Sequence, residues 1–250
     1  MNKIFFLFFF SSISSFQLQR AILAVDTHEK YQPYWPFAAR AWKRLIGIKP
    51  TLFLVAPPDF KVNEEVGEVI RFDPVPGIPT GFQAQVIRLL VPALFPDEIC
   101  ILSDVDMVPI NKRYFTLSVK GVSEETMVVY KQMPCANEYA MCYVAGKGKL
   151  FGKLFGIHNP SFEAIREKIK EWWSLKLGWA TDQRVLYKAV QDCVEFRIKK
   201  LDHDYSRRID RAGWKYDENK IRYYIDCHMS QPFNCKKPEE TVLRRLGLFS

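Results

Sequence analysis

The chain has 250 residues, 48% of them hydrophobic and 26% charged, with a net charge of +8. This is ordinary globular composition, enough for one large α/β domain or at most two small ones. The basic balance favours anionic partners, but no homeodomain, zinc-finger or RNP signature accompanies it, so nucleic acid is not expected; nor do the six cysteines form a CxxC pair.

The N-terminus carries Lys3 and then an apolar run from Ile4 to Phe10, extended by a Ser/Ile/Phe stretch to Phe16. A positive start and a short apolar run fit a signal peptide. The run is shorter than the ~20 apolar residues of a membrane span, and Gln17-Leu18-Gln19-Arg20 lacks a small-x-small cleavage pattern. Residues 1–20 therefore stay open between signal peptide, short anchor and the start of a cytosolic chain. Localisation is correspondingly secretory and membrane-associated, or cytoplasmic.

Residues 21–25 form a continuous apolar run ending at Asp26-Thr27, the pattern of a strand buried on both faces. Trp35, Ala38, Trp42, Leu45 and Ile46 follow at helical spacing, with Pro36 in the first turn and Gly47 and Pro50 as terminators. Residues 51–56 and 68–72 read as strands, separated from a helix over 81–94 by a proline-rich loop. A fourth buried strand, Ile99-Cys100-Ile101-Leu102, runs directly into Ser103-Asp104-Val105-Asp106. Such alternation implies right-handed crossovers and a mostly parallel central sheet with helices on both faces. In the second half, strands are expected at 127–130, 141–145, 195–198 and 221–225, and helices at 161–173 and 182–190.

Ligands of open α/β sheets sit outside the carboxyl ends of the strands, where Asp104 and Asp106 fall. Carboxylates two residues apart on extended chain point to opposite faces; a turn after the strand can bring both toward one hard cation such as Mn²⁺ or Mg²⁺. Thr181 reads as the N-cap of the 182–190 helix, with Asp182 in its first turn. Arg207, Arg208 and Arg211 are candidates to offset charge on a departing anionic group, but they lie in a polar stretch without pattern and read first as a solvated loop.

The segment from Ile99 to Val108, preceded by Gln85, Arg88, Leu89, Leu90 and Pro92, resembles the DxD region of GT-A-fold glycosyltransferases, notably the glycogenin and lipopolysaccharide-galactosyltransferase group. The resemblance implies an α/β chain with the GT-A (nucleotide-diphospho-sugar transferase) fold. Residues 21–250 would form a single catalytic domain, with 21–110 as the nucleotide-binding half and 111–250 as the acceptor half. It implies a metal-dependent transfer of sugar from a nucleotide-sugar donor, UDP-linked by family frequency, to a hydroxyl of a glycan, protein or lipid-linked acceptor. Asp104, Asp106 and His228 would hold the metal. Asp26, Thr27, Arg88, Ser103 and Asp104 would bind the donor. His228 is followed by a Pro-aromatic pair, as in the family, but without the family's Gly and Lys after the His.

Gly178-Trp179-Ala180-Thr181-Asp182-Gln183 is similar to the segment that such enzymes place beside the reacting carbon. It makes Asp182 and Gln183 the catalytic candidates and Trp179 an acceptor platform. An inverting enzyme would use Asp182 as general base, whereas a retaining one would need a stabilising group on the sugar's β-face, for which Gln183 is the candidate; the residues leave both open. Two rivals remain: a sugar-1-phosphate nucleotidyltransferase, which usually carries an early glycine-rich phosphate loop missing here, and a non-catalytic nucleotide-sugar-binding protein. Dehydrogenase, P-loop and serine-hydrolase motifs are absent.

Overall fold

The apolar run at 21–25 lies within β1 (Arg20–Asp26) of a computed structural model that describes residues 15–131, 137–202, 204–231, 233 and 238–249. The expected N-terminal apolar segment through residue 14, Pro232 of the Pro-aromatic pair, Cys135 and Cys235 lie outside the described residues. After β1 the chain forms α1 (Trp35–Arg40), which passes without a break into a π-helical turn at Ala41–Ile46. Gly47, at φ 84°, ends that turn in the left-handed conformation glycine tolerates. Pro50 sits inside β2 (Lys49–Val55), not in a loop. It is the second residue of that strand, where a missing N–H disrupts the ladder least.

β3 (Glu68–Phe72) and α2 (Thr80–Leu90) follow, the latter passing into a 3₁₀ turn at Val91–Leu94 that accommodates Pro92. Next come β4 (Ile99–Ser103), β5 (Met107–Pro109), α3 (Lys112–Leu117), β6 (Thr126–Val129) and β7 (Tyr143–Lys147). The remainder is α4 (Gly148–Leu154), α5 (Phe162–Ser174), α6 (Thr181–Asp192), β8 (Arg197–Lys200), β9 (Arg208–Asp210), β10 (Asp226–His228) and α7 (Glu239–Arg245). The strand expected at 221–225 is instead the end of a 3₁₀ segment, Glu218–Tyr223, and pairing begins only at Asp226.

One sheet has the order β3-β2-β1-β4-β7-β6-β8. The β3–β2, β2–β1, β1–β4 and β6–β8 pairs are parallel, and β7 runs antiparallel to both β4 and β6. Alternation along the central strands supplies two cores. Leu23, Val25, Leu52, Leu54 and Ile101 face one side with α1 and Trp42; Ile22, Phe53, Val55, Cys100 and Leu102 face the other with α2 and α5. Burial on both faces explains why these strands carry unbroken apolar runs. A small second sheet, β5-β10-β9, packs on the α1 side through Met107, Val108, Ile209 and Cys227. No helix among the described residues is long and apolar enough to cross a membrane.

Candidate active site

β1 and β4 are parallel neighbours, so Asp26 and the Asp104–Asp106 turn emerge at the same edge of the sheet. Beside that edge lies a cavity of about 700 Å³, within the range of small-molecule sites. Asp26, Arg88, Asp104, Asp106, Trp179, Asp182, Gln183 and His228 all line it, although they come from five separate stretches of chain. Two expected donor contacts do not. Thr27 is not among the lining residues, and Ser103 is fully buried with its Oγ donating to the Asp104 carbonyl at 3.1 Å. As the last residue of a central strand, Ser103 faces protein and steadies the turn.

Asp26 is fixed from two sides. Its carboxylate accepts the His28 backbone N–H at 3.0 Å and the Thr80 hydroxyl at 2.9 Å. The turn after β4 closes with the Met107 N–H donating to the Asp104 carbonyl at 3.2 Å. It sends the two aspartates to different partners. Asp104 pairs with the guanidinium of Arg88. Asp106, 6% exposed, lies 3.1 Å from Arg211 Nη1 and accepts from Gln231 Nε2.

Arg88 is itself buried and contacts Asp182 as well, at 3.2 Å. One guanidinium thus serves two carboxylates, one at the strand tip and one at the start of α6. Asp182 is 1% exposed, and burial pushes its carboxyl up to about 7; Arg88 opposes the shift, while the Asp104 charge adds to it. The Gln183 N–H donates to Asp182 Oδ1 at 2.9 Å. Thr181 does not cap α6: Ala180 holds the N-cap position, and the Thr181 hydroxyl donates back to the Gly178 carbonyl at 2.6 Å. Trp179 is 68% exposed at the rim, with its backbone carbonyl anchored by Gln85 Nε2, and Gln85 Oε1 is buried without a partner among the described residues.

His228 sits between two carboxylates. Its Nδ1 is 3.2 Å from Asp210 Oδ2, and its Nε2 is 3.6 Å from Asp106 Oδ2. Burial alone would raise the Asp106 carboxyl, but His228, Arg211 and Gln231 together hold it below the usual carboxylate range. An Nδ1–H given to Asp210 leaves the Nε2 lone pair facing Asp106. This carboxylate–histidine arrangement orients imidazole as a metal ligand. Asp106 and His228 therefore fit a hard divalent cation by type and by separation, since two donors ~2.0–2.2 Å from one ion can stand this far apart. Asp104 fits by type but is held by Arg88, and no group of three or more His, Cys, Asp and Glu among the described residues is gathered closely enough to hold a metal.

The polar stretch read as a solvated loop contributes more than expected. Arg208, in β9, is buried and makes paired 2.8 Å hydrogen bonds to Asp226 of β10; Arg211 reaches Asp106 and also the Met229 carbonyl at 3.2 Å. Arg207 turns away onto the Tyr223 carbonyl and ring. Gln231, Lys131 and Asp210 had no local signal, because each is defined by a contact across the fold.

Neither a protein-family model nor a curated protein matches the sequence. Solved structures do resemble the fold. One is the galactosyltransferase LgtC in complex with donor and acceptor sugar analogs, at TM-score 0.52 and 12% identity, covering 92% of this chain and 95% of that one. Another is the glycosyltransferase GlyE of Streptococcus pneumoniae TIGR4, at TM-score 0.54 and 13% identity, covering 91% of this chain and 60% of that one. At these identities the likeness shows the fold, and that fold is the GT-A-like α/β arrangement expected from the strand pattern and the DxD segment.

Proposed function

We propose that this chain is a glycosyltransferase that moves a sugar from a nucleoside-diphosphate sugar, UDP-linked by preference, to a hydroxyl acceptor with the help of Mn²⁺ or Mg²⁺. The observation that carries the reading is the meeting of Asp26, Asp104, Asp106, His228, Asp182 and Gln183 in one cavity at the carboxyl edge of β1 and β4. The similarity to LgtC, solved with donor and acceptor sugar analogs, supports the substrate class.

In this reading Asp26, rigidly held by Thr80 and the His28 N–H, accepts an N–H of the donor's base or a ribose hydroxyl. Asp106 and His228 would hold the cation, and Asp104 would join them on release from Arg88. Such a cation would supply Lewis-acid stabilisation of the departing diphosphate. Arg211, already at the Asp106 carboxylate, is a cation within reach of the same diphosphate, in a chain that lacks the family's Lys after His228. Gln85 Oε1, buried and unpaired, offers an acceptor to a sugar hydroxyl. Asp182, near neutrality in its proton affinity, can hold or release a proton beside the reacting carbon at working pH. Gln183 lines the same cavity, where a retaining course would use it on the sugar's β-face. Trp179 presents an open aromatic face for an acceptor sugar.

The test is a thermal-shift series with UDP, GDP and their sugar conjugates, with and without Mn²⁺. A nucleoside diphosphate should stabilise the chain only when Mn²⁺ is present, and Asp106→Asn should lose the effect while melting cooperatively. Binding that ignores the metal, or that survives in Asp106→Asn, contradicts the assignment of this site.

A further inference from the structure

Five Lys and Arg residues line the cavity: Lys30, Arg88, Lys131, Arg208 and Arg211. Three have carboxylate partners, since Arg88 pairs with Asp104 and Asp182, Arg208 with Asp226, and Arg211 with Asp106. Lys30 lies in the partly exposed loop after β1, with its Nζ 5.1 Å from the centre of the Tyr31 ring. Lys131 is different. It is 8% exposed, and among the described residues no ion pair or hydrogen bond reaches its ammonium; its Nζ lies 4.9 Å from the centre of the Tyr205 ring. Residues 1–14, 132–136, 203, 232, 234–237 and 250, outside the described set, include no Asp or Glu that could supply a counter-charge.

Buried lysines are costly unless paired. The acidic groups whose charge acts on it are already engaged, Asp226 by Arg208 and Asp210 by His228 and the Ala212 N–H. Burial lowers the Lys131 pKa, and Arg208 lowers it further against the pull of Cys142, Asp226 and Asp210. A fixed cation so placed, opening on a ligand cavity, has the features of an anion subsite.

Strand register locates that subsite. Ser103 of β4 pairs with Tyr143 of β7, and the Tyr130 N–H donates to the Tyr143 carbonyl at 3.0 Å. One residue farther toward the cavity, Asp104, Cys142 and Lys131 succeed one another across the edge. Lys131 is therefore two strand spacings, about 10 Å, from Asp104, on the side away from Asp26. In the transferase reading the nucleotide end of the cavity is at Asp26, and Lys131 lies on the other side of Asp104 from it.

We propose that Lys131 forms an anion-binding subsite at the acceptor end of the cavity, so that the acceptor carries a carboxylate or phosphate group. The word acceptor rests on the transferase reading; the anion subsite itself does not. The shared chemistry is a compact anion that forms a charge-assisted hydrogen bond to the ammonium.

The experiment titrates the full chain with inorganic phosphate and, separately, with acetate, in the absence and presence of saturating UDP and Mn²⁺, by calorimetry and thermal shift. Wild type should bind one anion that UDP does not displace, and the stronger of the two probes separates a phosphorylated from a carboxylated acceptor. Lys131→Gln and Lys131→Met should each weaken that binding at least tenfold while leaving UDP binding unchanged. Without anion, Lys131→Met should melt above wild type, because an unpaired buried charge is gone; phosphate or acetate should stabilise wild type alone. The proposal is overturned if wild type binds neither anion, if UDP displaces it, or if both variants retain it. Failure of UDP to bind with Mn²⁺ would remove the transferase reading instead, leaving the UDP-free titration to decide the subsite.

Discussion

Arg88 joins two carboxylates that lie 16 and 94 residues away in sequence, and the consequences are electrostatic. Because its charge is divided, it does not offset the burial of Asp182, whose carboxyl stays near 7 against an ordinary value of 3.8. The sign of the linkage follows. Below about pH 4 both folded and unfolded chains keep this proton. Between about 4 and 7 the unfolded chain releases it while the folded chain retains it, so stability falls as pH rises, and above about 7 it falls no further. Asp182→Asn should remove this slope from urea denaturation of the metal-free protein and gain stability at pH 7 and above, by a few kcal/mol at most. An unchanged profile would mean that Asp182 is ionised in the fold. At His228, Asp210→Ala should weaken Mn²⁺ binding about 10–100-fold, measured by electron paramagnetic resonance, because the imidazole loses the group that orients it. Asp104 and Asp106 were legible in the sequence because they follow a buried apolar strand, and Asp182 because it opens a periodic helix; His228 came only through the family resemblance, since the strand expected before it is a 3₁₀ segment. Arg211 and Gln231 were not, being 105 and 125 residues from the Asp106 they touch.

At the scale of elements, the first half followed its periodicity closely. β3 matches the expected strand residue for residue, and β1, β2, β4 and α2 differ by a few residues at their ends. The second sheet was not legible. β5, β9 and β10 have three residues each, too few for an alternation to declare itself, and β10 reads Asp-Cys-His. What holds β9 beside β10 is the buried, bidentate Arg208–Asp226 pair, with Asp226 fully inaccessible. Breaking one side of such a pair strands a buried charge and costs about 3–5 kcal/mol. Asp226→Ala should therefore lower stability by that amount in urea denaturation and displace His228, two residues on. A loss under about 1 kcal/mol would show that the second sheet is held by its apolar contacts instead.

Over the whole molecule, the sheet order puts a parallel half, β3-β2-β1-β4, next to a half reversed by β7, and the cavity spans the junction. The parallel half was implied by the early alternation of strands and helices and by the DxD resemblance, whereas the reversal at β7 was not; structures of LgtC and GlyE share the fold. Turnover is the property that the fold alone does not supply. Release of nucleoside diphosphate from a panel of nucleotide sugars, with water as the acceptor and Mn²⁺ present, tests it most directly. At least one donor should be consumed in a Mn²⁺-dependent reaction that Asp106→Asn abolishes. A panel left intact by the wild-type chain, or consumed equally by the variant, would contradict it.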